Sequence, residues 1–132
     1  MTTIFYKKLY KNIGVLLYAI AKADGQVQEP EIKTLHQIVI EDLAPLEDSV
    51  DSFGTDAAFF AEFEFDVLQD RNISAQKAFE KFIAFAKEND EHLSPQLRAL
   101  IVRSVEKVAD AYCGINKAEH EMIEALKRAL FY

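Results

Sequence analysis

Residues 18 to 39 read YAIAKADGQVQEPEIKTLHQIV, and the way the middle of that stretch turns decides the fold. Upstream of it, apolar residues fall at Phe5, Leu9, Ile13, Leu16, Leu17 and Ile20, the three-and-four spacing of one helix face. That helix ends near Asp24. Gly25 enters the left-handed backbone region without a side-chain clash, which suits it to reverse the chain and satisfy the last carbonyls. Val27 then points back as an apolar plug. Pro30 has no backbone N–H and a helical φ, so it opens a second helix whose apolar positions are Ile32, Leu35, Ile38, Val39 and Leu43. Glu29 and Glu31 stand at the positive end of that helix dipole.

The pattern returns 88 positions later, without a gap, at residues 109 to 126: ADAYCGINKAEHEMIEAL. Val27 lies over Ile115, Glu31 over Glu119, Leu35 over Ile123 and Ile38 over Leu126. The turn chemistry differs: Tyr112-Cys113 replaces Asp24-Gly25, the glycine moves to Gly114, and Asn116 followed by Glu119 forms a capping-box pattern.

A helix carrying A-x-A-D-G and then x-V, with a Glu opening a second helix and an imperfect copy near the end of a short helical chain, resembles the TerB-like tellurite-resistance family. It is also similar to the TerB-like domain of membrane-anchored DnaJ co-chaperones. The resemblance implies one domain, a compact bundle of about seven helices built from two pseudo-repeated hairpins. It further implies a cytoplasmic bacterial protein of poorly defined role, linked to stress or tellurite resistance and sometimes described as binding divalent cations through acidic turn residues. The matching positions are Asp24, Gly25, Val27 and Glu31, with Glu119 in the second half; Tyr112 stands where a second Asp would be.

Composition bounds the remaining readings. A chain of 132 residues, 50% hydrophobic and 28% charged, is sized for one globular domain. It has no apolar run of membrane-spanning length and no signal-peptide pattern, from which a cytoplasmic location is expected. One cysteine, Cys113, excludes an internal disulfide and a multi-cysteine metal cluster. The net charge of −7 is unevenly placed: residues 41 to 70 hold ten acidic residues and no basic one. A face of that sign repels phosphate backbones, so nucleic acid is not an expected partner. It is a solvated surface or a docking face for a basic protein or for cations. Lys7, Lys8 and Lys11 make the first helix basic and amphipathic, as any helix covering a small core is, and no membrane contact is expected of it.

In chain order, helices are expected over about residues 3 to 23 and 28 to 43, with Ala44-Pro45 as a break and a loop or short turn ending at Gly54. Thr55 caps a helix over about 56 to 69 that has two apolar faces, Phe59, Phe60, Phe63 and Val67 on one and Phe65 and Leu68 on the other. The alternation Phe63, Phe65, Val67 also suits a strand, but no partner strand exists. Something must cover Phe65 and Leu68. Another helix of the domain is one answer; a subunit interface formed by Phe65 and Leu68 with Glu62 and Asp66 is the other, giving a protein partner or a homodimer. Ser74 caps a helix with Phe79, Phe82, Ile83 and Ala86 along one face; Ser94 and Pro95 open another with Leu97, Leu100, Ile101, Val105 and Val108. The last begins after Asn116, with Met122, Ile123, Leu126 and Leu130 inward. The fold class is all-α.

No catalytic constellation appears. His120-Glu121 followed by Glu124 lacks the second histidine of the zinc-protease helix, and Asp24, Glu29 and Glu31 do not follow the calcium-loop spacing. Cys113 has no recognisable base. The expectation is a non-enzymatic protein-interaction module; the alternative is a metal-binding or metal-sensing protein using Asp24, Glu31 and Glu119, with Gly25, Val27, Gly114 and Asn116 shaping the turns.

Overall fold

The computed structural model describes residues 3–46, 52–111 and 114–131. Its regular structure there is wholly helical: α1 (Thr3–Lys22), α2 (Glu29–Ile38), α3 (Ser52–Asp70), α4 (Ala75–Glu88), α5 (Pro95–Asp110) and α6 (Lys117–Phe131). Six α-helices stand where about seven were expected. In place of a break at Ala44-Pro45, α2 widens into a π-helical segment (Val39–Leu43) and then tightens into a 3-10 turn (Ala44–Leu46). The Ala44 N–H reaches back to the Val39 carbonyl, one residue further than α-helical bonding would allow. The proline that follows supplies no N–H, so the helix is already losing its ladder here. Gly54 and Thr55 lie inside α3 rather than in a loop. Tyr112 and Cys113 lie outside the described residues.

Local chemistry places most boundaries. Gly25 adopts φ +101° and its N–H donates to the Lys22 carbonyl at 2.7 Å, while Gly114 adopts φ +79°. The Ser74 hydroxyl accepts the Lys77 N–H and the Ser94 hydroxyl accepts the Leu97 N–H, as expected of N-caps. Just past the end of α3 stands Asn72, the one described non-glycine residue at positive φ; bonds from the Asn72 N–H to Gln69 and from the Ile73 N–H to Leu68 form a Schellman motif.

At the centre lies α1, which packs against α3, α4, α5 and α6. Its first half is amphipathic, with Lys7, Lys8 and Lys11 exposed. From Ile13 to Ala21 every residue is buried, so its second half has no polar side at all. A helix buried all round needs a neighbour that comes close. That neighbour is α3, whose inward stripe is Ala58, Ala61, Phe65 and Leu68. A side chain at Gly14 would collide with the Ala61 carbonyl and Cα, main-chain atoms that cannot swing aside. Phe65 fills the space beyond this contact, edge-on to Tyr18 at 5.5 Å between ring centroids. Tyr18 in turn donates its hydroxyl to the Ile73 carbonyl at 2.6 Å and secures the α3–α4 turn.

Arg98, which no sequence motif singles out, ties the other end of the bundle. Its guanidinium donates to the carbonyls of Leu93, Leu130 and Asp90 and to the Asp90 carboxylate. It joins the start of α5 to the end of α6 and to the short turn Asp90–His92.

Because the clash at Gly14 is with backbone, Gly14→Ala should destabilise the fold by roughly 1–3 kcal/mol despite its better helix propensity. Chemical denaturation of Gly14→Ala beside the parent protein checks this; a stability equal to or above the parent's would show that α1 and α3 are not in close contact.

Candidate functional site

Two places draw the sequence-predicted residues together: the junction between the turns at the two ends of the chain, and the outward side of α3.

At the junction, Glu31 takes the third position of α2 and its Oε1 accepts the Gln28 N–H at 2.7 Å. Glu119 takes the third position of α6 and its Oε1 accepts the Asn116 N–H at 3.0 Å, while Asn116 Oδ1 accepts the Glu119 N–H at 2.9 Å. The two glutamates therefore do the same job 88 residues apart. Each is only 2% exposed, and their carboxyl groups hydrogen-bond to each other. Asp24 completes the junction: Oδ1 accepts the Gln26 N–H at 3.2 Å and Oδ2 accepts the Asn116 Nδ2–H at 3.3 Å, joining the first turn to the second. Val27 packs half-buried against the core beside it.

The electrostatics follow from that burial. Desolvation, with the nearby charges of Glu119 and Asp24, pushes Glu31 up to about 7 against the opposing bond from Gln28. Burial also raises Glu119, chiefly, with Asp24 adding to it and the bonds from Asn116 and Glu31 opposing. Both carboxyls are harder to ionise than free ones, so the pair holds a proton to higher pH than surface acids do. Glu31 and Glu119 touch and Asp24 lies near them, but among the described residues no three acidic, histidine or cysteine side chains converge as a metal-ligand set.

On α3 the two apolar faces sort opposite to the reading that gave an interaction surface to Phe65 and Leu68. Phe65 is 0% exposed and Leu68 is buried beside it. The reason is steric: the inward face must carry Ala61 against Gly14, and that register puts Phe65 and Leu68 inside and Phe59, Phe60 and Phe63 outside. These three are 37%, 43% and 65% exposed. Around them are acids. Glu62 Oε1 lies 2.7 Å from His36 Nδ1, and the His36 ring lies 6.4 Å from that of Phe59. Glu64 faces Lys11 at 3.9 Å. Partial burial, then the like charges of Glu62 and Asp70, push the Asp66 carboxyl up, and among the described residues no cation pairs with Asp66 or Asp70. Ala58, Ala61 and Gly14 are the small residues of this contact, but only the packed helices show that Gly14 faces Ala61.

No family model, curated protein or solved structure matches this chain.

The raised carboxyls set a pH dependence. Glu31 ionises near 4.5 when unfolded and near 7 when folded, so its contribution is fully present below pH 4.5 and is lost as pH rises through about 7. Stability measured by urea unfolding should fall between pH 5 and pH 8, by up to about 3 kcal/mol from this group. Glu31→Gln keeps an acceptor for Gln28 and a permanent donor for Glu119, so its stability curve should be flatter than the parent's. Identical pH curves for the two proteins would contradict the shared proton.

Proposed function

We propose that this chain is a non-enzymatic, helical protein-docking module of the TerB-like kind, and that it works through the outward face of α3. The observation that carries the reading is the row Phe59, Phe60 and Phe63, three large aromatic side chains left in solvent on one helix face. Burying even one such ring contributes about 2 kcal/mol, so a row left in solvent is best explained by a partner that covers it. The helix already has an inward apolar face in Ala58, Ala61, Phe65 and Leu68, and the row lies outside the core it serves. The TerB-like assignment draws its support from the two capped turns, each with a buried glutamate at the same helical position. A part in stress or tellurite resistance rests on the resemblance alone.

A second reading, divalent-cation binding, has the contact of Glu31 with Glu119 and the nearby charge of Asp24 in its favour, with a cation taking the place of the shared proton. Calorimetric titration with calcium, magnesium, manganese and zinc tests it: heat that disappears in Asp24→Ala supports it, and no uptake at millimolar metal removes it.

For the docking reading, a photo-reactive benzoyl-phenylalanine placed at position 63 in living cells should give a discrete higher-mass adduct, while the same group at exposed position 91 gives none. The pair Phe60→Ser/Phe63→Ser should leave stability within about 0.5 kcal/mol of the parent, as at an ordinary surface site. No adduct at 63, or a loss of stability on the scale of a core truncation, would contradict the reading.

A further inference from the structure

The outward face of α3 also states the chemistry of what covers it, and the inference that follows rests on the docking reading above. Phe59, Phe60 and Phe63 form an apolar spot of about one helical turn, and the exposed Asp66 and Asp70 continue the same side of the helix toward its C-terminus. Glu62 flanks the spot, taken up in part by His36. Asp66 and Asp70 have no counter-cation among the described residues. The crowding shows in the Asp66 carboxyl, which burial and the charges of Glu62 and Asp70 make harder to ionise.

This arrangement sorts the candidate occupants. A second copy docking through the same face around a two-fold axis would set acid against acid, in a segment that holds ten acidic residues and no basic one between positions 41 and 70. The basic first half of α1 in another copy offers Lys7 and Lys8 but no apolar side, since Phe5 and Leu9 are already buried in its own core. A nucleic acid or an anionic membrane is repelled by the same charges. A peptide that adds as a strand would need a sheet edge, and the described residues contain no strand. What fits is a helix that packs ridge into groove along α3 and carries both apolar and positive side chains.

We propose that the outward face of α3 receives a basic amphipathic helix of another protein, whose apolar side covers Phe59, Phe60 and Phe63 and whose lysines or arginines meet Glu62, Asp66 and Asp70. Attraction between those acids and the partner's cations makes association fast and salt-sensitive, while the phenylalanines hold the complex together.

The probes are two synthetic peptides with leucine at i, i+3, i+4 and i+7, one with lysine and one with glutamate at the remaining positions, titrated calorimetrically into the full chain. The Leu/Lys peptide should bind in the micromolar range and about tenfold more weakly at high salt, and the Leu/Glu peptide should not bind. Phe60→Ser/Phe63→Ser should abolish binding. Asp66→Asn/Asp70→Asn should weaken it about tenfold and flatten its salt dependence, while Glu88→Gln/Glu91→Gln, an equal charge change elsewhere, should leave it as it was. Equal binding of both peptides, equal loss in the control pair, or no binding by either peptide overturns the proposal. So does a dimer in sedimentation that Phe63→Ser dissolves. If the peptides fail while position 63 still gives its adduct in cells, the partner's chemistry is wrong and the docking function stands; if the adduct fails too, both fall.

Discussion

The contact on which the rest depends is the one between Gly14 and Ala61. It is a contact of backbones, possible because one partner has no side chain and the other has only a methyl group. It lets α3 lie close along α1, and that closeness makes the second half of α1 buried from every direction. It also fixes how α3 is rotated. With Ala61 inward, Phe65 and Leu68 follow it into the core one and two turns later, and the three phenylalanines on the other side have nowhere to go but outward. A fold requirement thus determines which aromatic face is available for recognition. Interiors packed to crystal-like density do not relax enough for the opposite rotation, which would press a ring where Gly14 already touches main-chain atoms.

The second tie, between the turns at the two ends of the chain, is polar. Each glutamate satisfies a backbone N–H that would otherwise be orphaned at a buried helix start, and this explains their burial without reactivity. Their meeting is the less expected part. Two carboxyls in contact out of water cannot both ionise, so the junction retains a proton at pH values where surface acids have lost theirs. Asp24 bridges to Asn116 from the solvent side and adds to that pressure. The chemistry of the two turns differs, Asp24-Gly25 in one and Gly114 in the other, while a glutamate closes each.

What was legible in the sequence was whatever local physics decides. The caps at Ser74, Ser94 and Asn116, the left-handed glycines and the all-helical class follow from contacts within a few residues. The equivalence of Glu31 and Glu119 was legible as a register; that they touch was not, since nothing in a linear pattern says how two hairpins close. The rotation of α3 was hidden for a similar reason. Its wheel offers two apolar sides, and the larger, more aromatic one looks like core. The choice was made by a glycine 47 residues away in sequence, whose meaning appears only once the helices are side by side. The π-helical widening before Pro45 was likewise read as a break, since a proline ends the α-helical ladder but does not say how the chain leaves it.

The orientation of α3 is therefore the central claim, and it has a direct test in solution. Hydroxyl-radical footprinting read by mass spectrometry reports the exposure of individual phenylalanine rings. The account predicts rapid oxidation at Phe63 and Phe60, slower oxidation at Phe59, and protection at Phe65 as complete as at the buried Phe82. Rapid oxidation of Phe65 with protection of Phe60 and Phe63 would mean that α3 presents its other face, and the docking surface described above would not exist.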